Sequence, residues 1–272
     1  MRRPPIALLL VVLTLTGGVA CAMRRHASAT LPGERRWSTS VSLNGAALEL
    51  HLIAPAHPRS PVLVTYASGD GGWFGTAVGM FDDIGADGYY AAGFSARAYF
   101  KLRAPSHAMS AGQVADDYQR IIATALTSLG LGARTPVVVT GWSRGAGLAV
   151  LVAAAPHGGV SLSGVVGIGL PADDRLAETS ASDDDGPPAG RDDDGRFETY
   201  PMLKRLAPLP VAVIQATHDR FLDAGRAREL LGPDTPARRL FTVDAANHRF
   251  GGGIAGFRSA LREALAWVAS TP

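Results

Sequence analysis

The sequence predicts an α/β fold: a mostly parallel sheet with helices on both faces and an N-terminal hairpin. Apolar, β-branched runs alternate along the chain with segments whose apolar residues recur at helical spacing. These runs contain few polar positions, as expected for strands that are covered on both faces. The chain has 272 residues, of which 47% are hydrophobic, enough to form one large core.

The individual elements follow from local signals. Residues 38–55 are predicted to form the hairpin because Asn44-Gly45 lies between two alternating runs. The later strands are predicted at 61–67, 88–96, 135–141, 160–170, 209–217 and 237–244. The helices are predicted at 110–130, 146–155, 224–231 and 253–269. Gly130 ends the first of these helices and Pro156 stops the second.

The N-terminus, residues 1–22, has the pattern of an export signal. Arg2 and Arg3 precede a short apolar run, and the small-residue sequence Ala-Cys-Ala closes it as a cleavage site. Two alternatives stay open: lipidation at Cys21, or retention of the uncharged stretch as a membrane anchor. In each case the domain at 36–272 is expected to be exported, in the periplasm. Since Cys21 is the only cysteine, no internal disulfide is expected.

An acidic segment, residues 173–195, interrupts the alternation of strands and helices. It is rich in Asp, Pro and Gly and nearly free of large apolar residues, which predicts a flexible surface insertion. The sequence DDDG occurs in it twice, but the alternating carboxylates and terminal glutamate of a calcium loop are missing. No metal site is therefore predicted. The net charge of +2 does not favour a nucleic-acid partner.

The stretch VVVTGWSRGAG, residues 137–147, predicts a nucleophile elbow. Ser143 follows a β-branched run and precedes a small-residue helix, with Gly141 and Gly145 two places on either side. A catalytic serine in an α/β-hydrolase occupies such a sharp strand-to-helix turn, and the glycines leave room for it. Because ligands bind at the carboxyl ends of parallel strands, Ser143 has the expected position for a nucleophile.

A serine needs a base, and the base needs an orienting acid, in the chain order Ser, Asp or Glu, His. Asp219 directly follows the strand predicted at 209–217, and His248 follows the next predicted strand. Both are expected at the same edge of the sheet as Ser143. Asp244 is the second choice for the acid, and Asp223 is predicted to cap the following helix.

Acyl transfer also needs donors for the oxyanion. One should be the backbone N–H of Arg144, the residue after the nucleophile. The other should come from the loop SGDGGW, from the N–H of Asp70 or Gly71. A simpler interpretation gives Asp70 the role of capping the next helix, and the two roles are compatible.

Five motifs together resemble the VirJ/AcvB family of bacterial periplasmic α/β-hydrolases. They are YASGDGGW (66–73), GFSARAYF (93–100), GWSRGAG (141–147), RFETY (196–200) and NHRFGG (247–252). The resemblance covers roughly residues 60–268. There are departures: Ser95 stands where the family often has aspartate, and the elbow reads GWSRGAG where GYSFGAD is usual.

The resemblance implies a serine esterase with Ser143, Asp219 and His248 as its triad and no metal or organic cofactor. Its implied substrates are lysyl- or alanyl-phosphatidylglycerol at the inner-membrane surface, within a wider class of lipid or small esters. Asp70 and Trp73 become candidate substrate contacts, with Asp70 facing the α-ammonium of an aminoacyl ester. Two alternatives remain: a general periplasmic carboxylesterase, or a non-catalytic partner-binding protein of the export machinery.

Overall fold

The structure is a computed structural model. It describes residues 30–102, 109–156, 159–176 and 195–270. The predicted export signal with Cys21 lies outside the described residues, as does the inner part of the acidic segment, 177–194. The predictions made for these two segments therefore stay predictions.

The described chain alternates strands and helices. The strands are β1 (Arg35–Leu43), β2 (Ala46–Ala54), β3 (Leu63–Ala67), β4 (Tyr90–Phe94), β5 (Val137–Trp142), β6 (Leu162–Ile168), β7 (Asp173–Arg175), β8 (Arg196–Glu198), β9 (Val211–Ala216) and β10 (Arg238–Val243). The helices are α1 (Thr76–Ala86), α2 (Ala96–Lys101), α3 (Ala111–Leu129), α4 (Arg144–Ala154), α5 (Thr199–Lys204), α6 (Ala224–Leu231) and α7 (Ile254–Ser270). No described helix has both the length and the apolar character needed to cross a membrane.

Eight strands form one sheet in the order β1-β2-β4-β3-β5-β6-β9-β10. β2 pairs antiparallel with β1 and β4, and all the other pairs in this sheet are parallel. β5, β6, β9 and β10 are consecutive neighbours, so the loops that follow them meet at one edge of the sheet. The predicted mostly parallel sheet with an N-terminal hairpin is confirmed.

Helices cover the sheet on both faces and enclose two apolar clusters. On one face the core includes side chains of α3, α4, α5 and α6, and on the other those of α1 and α7. Val137 and Val139 pack in the first cluster and Val138 in the second, as the two-residue period of a strand requires. This burial on both faces explains the nearly continuous apolar run in β5.

The turn at Asn44-Gly45 and the end of α3 at Gly130 have the predicted geometry. Asn44 and Gly45 both have positive φ, 52° and 79°, as a two-residue hairpin turn requires. Ser110 and Gln113 form a reciprocal capping box at the start of α3, and Gly130 ends that helix in the left-handed conformation. No bounds were predicted for α1, the helix expected after the SGDGGW loop, and α2, α5 and the β7–β8 pair were not predicted from the sequence.

The edges of the predicted acidic insertion are structured. β7, at its start, pairs antiparallel with β8, which follows its end. Asp174, the middle residue of β7, has a side chain that is only 10% exposed. Composition alone did not indicate this strand, because three charged residues carry no apolar alternation.

Candidate active site

Ser143 lies on a strained turn between β5 and α4. Its φ of 56° and ψ of −122° are unusual for a residue with a side chain, and such a conformation costs about 1–3 kcal/mol. A Cβ at position 141 would overlap the backbone of Gly145, and a Cβ at 145 would overlap the carbonyl of Ala67. The Ser143 N–H donates to the carbonyl of Ile168 at 2.8 Å, which ties the turn to β6. The two glycines are therefore required by the close approach of α4 to β3 and β5.

Asp219 and His248 form a close pair at the same edge. The Nδ1 of His248 lies 2.6 Å from the Oδ2 of Asp219, whose side chain is fully buried. The backbone N–H of Phe221 donates to the other carboxylate oxygen at 2.9 Å. The Gln215 side-chain amide, on β9, donates to Oδ2 at 3.2 Å. The carboxylate is thus oriented by groups on its own strand and loop, and it orients the imidazole in turn.

The imidazole of His248 is held beside the elbow. The indole N–H of Trp142, the residue before Ser143, donates to the carbonyl of His248 at 3.2 Å, and the two rings stack 5.4 Å apart. A Cβ on Gly169 would lie 2.8 Å from the ring, so this glycine leaves the space that the imidazole occupies. Phe221 contacts the ring edge-on. The Nε2 of His248, the nitrogen that a serine base would use, is buried and makes no hydrogen bond to any described residue.

The SGDGGW loop lies directly against the serine. A Cβ on Gly69 would be 3.1 Å from the Cβ of Ser143. The loop folds into a turn in which the Gly72 N–H donates to the carbonyl of Gly69 at 3.0 Å. This hydrogen bond uses neither the N–H of Asp70 nor that of Gly71, the two central residues. Arg144 is the first residue of α4, so the helix itself offers its N–H no carbonyl.

The Arg144 side chain is a feature that the sequence reasoning missed. It is only 4% exposed, and its guanidinium stacks on the ring of Phe100 at 3.7 Å. Nη1 donates to the Oδ1 of Asp70 at 2.9 Å, and Nη2 donates to the carbonyl of Arg175 at 2.9 Å. Nε lies 3.8 Å from the carboxylate of Asp174. The guanidinium therefore joins the SGDGGW loop, α2 and β7.

Asp174 is a buried acid beside this guanidinium. Burial raises the pKa of Asp174 to about 7, against the positive charge of Arg144 and the N–H of Arg175, which lower it. Asp70 and Asp173 add to the upward shift by their negative charge. A Cβ on Gly147 would overlap the Asp174 carboxylate, so glycine at this position of α4 makes room for it.

The remaining predicted residues have other surroundings. Trp73 stacks on His51 at 4.3 Å and packs edge-on against Phe81, so its described ring contacts belong to the core. Asp70 does not cap α1, whose N-cap is Gly75, so that interpretation was wrong. Asp223 caps α6 as predicted, accepting from the N–H of Arg226. Asp244, the second choice for the acid, accepts from the Thr217 hydroxyl.

Comparison with solved structures identifies the fold. The esterase domain of a Rhodothermus marinus protein has a TM-score of 0.59 and 15% identity, over 86% of this chain and 98% of that chain. The fold is that of the α/β-hydrolases. A dienelactone hydrolase from Anabaena variabilis (TM-score 0.56, 16% identity) matches over 86% of this chain and 98% of its own. An α/β serine hydrolase without a lid, from Xanthomonas campestris (TM-score 0.57, 16% identity), matches over 88% and 97%.

Sequence comparison does not assign the chain to a family within this fold. No protein-family model matches the chain, and no curated protein sequence matches it. The three solved structures named above share 15–16% of their residues with this chain, so they establish the fold alone. Within the described residues, no group of three or more His, Cys, Asp or Glu side chains is arranged to hold a metal ion.

Proposed function

We propose that this protein is a serine esterase that hydrolyses carboxylic esters through an acyl-enzyme. One observation carries the proposal: a serine held at positive φ on a strand-to-helix elbow, at the sheet edge where His248 lies 2.6 Å from a buried aspartate. The sheet could form without the strained backbone of Ser143, and it could form without a buried aspartate beside His248. Both are expected of a nucleophile and its base.

In the acylation step, the Oγ of Ser143 attacks the ester carbonyl carbon and its proton passes to the Nε2 of His248. The N–H groups of Arg144 and of Asp70 or Gly71 receive the charge that develops on the carbonyl oxygen. When the tetrahedral intermediate collapses, the C–O bond to the alcohol breaks and His248 gives its proton to the departing oxygen. Asp219 stabilises the imidazolium throughout.

In the deacylation step, water replaces the alcohol. The water oxygen attacks the acyl carbon while His248 takes a proton from the water. The same N–H groups donate to the second oxyanion. Collapse releases the carboxylic acid and returns the proton to Ser143. The cycle consumes one ester and one water and needs no cofactor.

For the substrate, we propose an aminoacyl-phosphatidylglycerol, lysyl or alanyl, at the periplasmic face of the inner membrane. The motif resemblance to the VirJ/AcvB family supports this choice. The carboxylate of Asp70 is 41% exposed, so it can meet an α-ammonium while it is paired with Arg144. The exposed ring of Phe221, beside His248, offers an apolar surface to the rest of the ester.

The location of the protein is part of this proposal. Export through residues 1–22, with cleavage after the Ala-Cys-Ala sequence, gives a chain that begins at Met23. Mass spectrometry of the protein purified from a periplasmic fraction measures this end directly. A lipid attached to Cys21, or an intact N-terminus, would identify one of the two alternatives.

Turnover of a short neutral ester tests the proposed chemistry, and a panel of aminoacyl-phosphatidylglycerols tests the proposed substrate. We expect Ser143→Ala and His248→Ala to lose about a thousandfold or more of the wild-type kcat, and the double variant to lose little beyond either single one. Activity on neutral esters without activity on the lipids would indicate a general carboxylesterase. No turnover of either class by the wild type would favour the partner-binding protein.

A further inference from the structure

The two proposed oxyanion donors come from separate segments of the chain. The Arg144 N–H belongs to the first turn of α4, and the Asp70 and Gly71 N–H groups belong to the loop after β3. An oxyanion hole works only when its donors converge within hydrogen-bond distance of one point. Something must therefore fix the loop relative to the helix.

The side chain of Arg144 makes such a connection. Its guanidinium donates to the Oδ1 of Asp70 at 2.9 Å, so the residue that supplies one donor also holds the residue that carries the other. The guanidinium is itself clamped, since it stacks on Phe100 and donates to the carbonyl of Arg175. With 4% exposure it is shielded from solvent. A buried, charge-assisted hydrogen bond is stronger and geometrically tighter than an exposed one.

Asp174 completes the cluster on the far side of the guanidinium, 3.8 Å from Nε. Arg144 therefore lies between two carboxylates, one on the SGDGGW loop and one on β7. Gly147 accommodates the second of these on the surface of α4. A structural arginine in the core needs one such partner. Here the more exposed partner, Asp70, directly follows Gly69, where an added Cβ would lie 3.1 Å from the Cβ of Ser143.

We propose that the Arg144 side chain is a positioning residue for the oxyanion hole, acting through its ion pair with Asp70. The pair holds the Asp70–Gly71 peptide at the distance from the Arg144 N–H that the tetrahedral intermediate requires. This rests on the proposed esterase function, and it assigns Asp70 a role in turnover of every ester, including those without an ammonium group. Asp174 and Phe100 fix the guanidinium from the other sides.

The test compares Arg144→Met, Asp70→Asn and the double variant on a short neutral ester such as p-nitrophenyl acetate. Each single variant is expected to lower kcat by roughly tenfold to a hundredfold, since a misplacement of about 1 Å has an effect of this size. KM should change by less than about threefold, because the donors act mainly in the transition state. The double variant should lose no more than the worse single one, since both substitutions remove the same ion pair.

Two further variants separate positioning from general damage. Arg262→Met breaks another arginine–aspartate pair, 2.8 Å from Asp87, at the end of α1 and away from the elbow, and should leave kcat unchanged. Arg144→Lys keeps the charge but not the planar fork, and should recover only part of the lost kcat. If Arg144→Met fails to fold, Asp70→Asn still decides, because its side chain is 41% exposed and its shape is kept.

Hydrogen exchange gives a readout that does not depend on turnover. The Gly72 N–H is bonded within the turn, so its exchange should quicken in Arg144→Met and Asp70→Asn and stay unchanged in Arg262→Met. Unchanged exchange at this turn, or an unchanged kcat in an active protein, would overturn the positioning role. So would a loss in Asp70→Asn confined to aminoacyl esters. A wild type without esterase activity refutes the proposed function, and the exchange result then decides the positioning role alone.

Discussion

The substitution Asp174→Asn should change how the stability of the protein depends on pH. Burial raises the pKa of Asp174 from the ordinary value of 3.8 to about 7 in the folded protein. Between these values the folded state keeps a proton that the unfolded chain has released. Stability therefore falls as the pH rises through this window and levels off above it. Asparagine has no proton to lose, so the variant lacks this contribution.

The raised pKa of Asp174 sets the size of this change in stability. Each pH unit within the window changes the free energy of unfolding by at most about 1.4 kcal/mol. Between pH 3.8 and about pH 7, the free energy of unfolding of the wild type should fall by on the order of 4 kcal/mol at most relative to that of Asp174→Asn. The groups that face Asp174 are Arg144 and Asp70 across the cluster and Asp173 and Arg175 on its own strand. Only the attraction to Arg144 and the bond from the Arg175 N–H oppose the shift.

Urea unfolding of both proteins at about pH 5 and about pH 8 measures the part of this loss that falls above pH 5, about 2.7 kcal/mol at most. Asp173→Asn is the matched control. The Asp173 side chain is next to Asp174 in the chain, but it is 50% exposed and pairs with Arg196. The wild type should lose stability relative to Asp174→Asn at the higher pH, and Asp173→Asn should follow the wild type. A difference that is the same at both pH values would show that Asp174 does not keep its proton in the folded state, and so would a wild type that gains stability relative to Asp174→Asn at the higher pH.

Three other outcomes follow from the structure. Gly147→Ala should lower the free energy of unfolding by about 1–3 kcal/mol, because the added Cβ would overlap Asp174. Thermal unfolding should show that the double variant Gly147→Ala/Asp174→Ala recovers part of this loss. Gly79→Ala, in the open space of α1, is the control and should be neutral or stabilising. Gln215→Leu removes a hydrogen-bond donor to Asp219. It should lower kcat by roughly tenfold or more with little change in KM. An unchanged kcat would mean that the Asp219 carboxylate is oriented without the Gln215 amide.

The sequence predicted those features that depend on local signals. Asn44-Gly45 indicated its turn through backbone preference, and Gly141 and Gly145 indicated the elbow because both are needed within a few residues of Ser143. The positions of Asp219 and His248 directly after their strands indicated that the two side chains lie together, because the ends of parallel strands meet. This last inference needed only the strand ends and the direction of the sheet.

What the sequence could not predict depends on contacts between distant segments. Nothing near Asp70 in the chain indicates that it pairs with Arg144, which lies 74 residues away. Asp174 stands in a run of acidic residues whose composition is typical of a solvated loop, yet its burial follows from a glycine on α4. The cap predicted for Asp70 was wrong because α1 begins only at Thr76, beyond the reach of a side chain in the preceding turn.

Covalent trapping with a serine-reactive probe tests directly whether Ser143 is the nucleophile. Intact-protein mass spectrometry after reaction with a fluorophosphonate should find one phosphonyl group per chain, and peptide mapping should place it on Ser143. Ser143→Ala should carry none, and His248→Ala should react at least about a hundredfold more slowly, because the base is gone. A wild type that stays unmodified, or a Ser143→Ala protein that is labelled as fast as the wild type, would show that Ser143 is not a nucleophile.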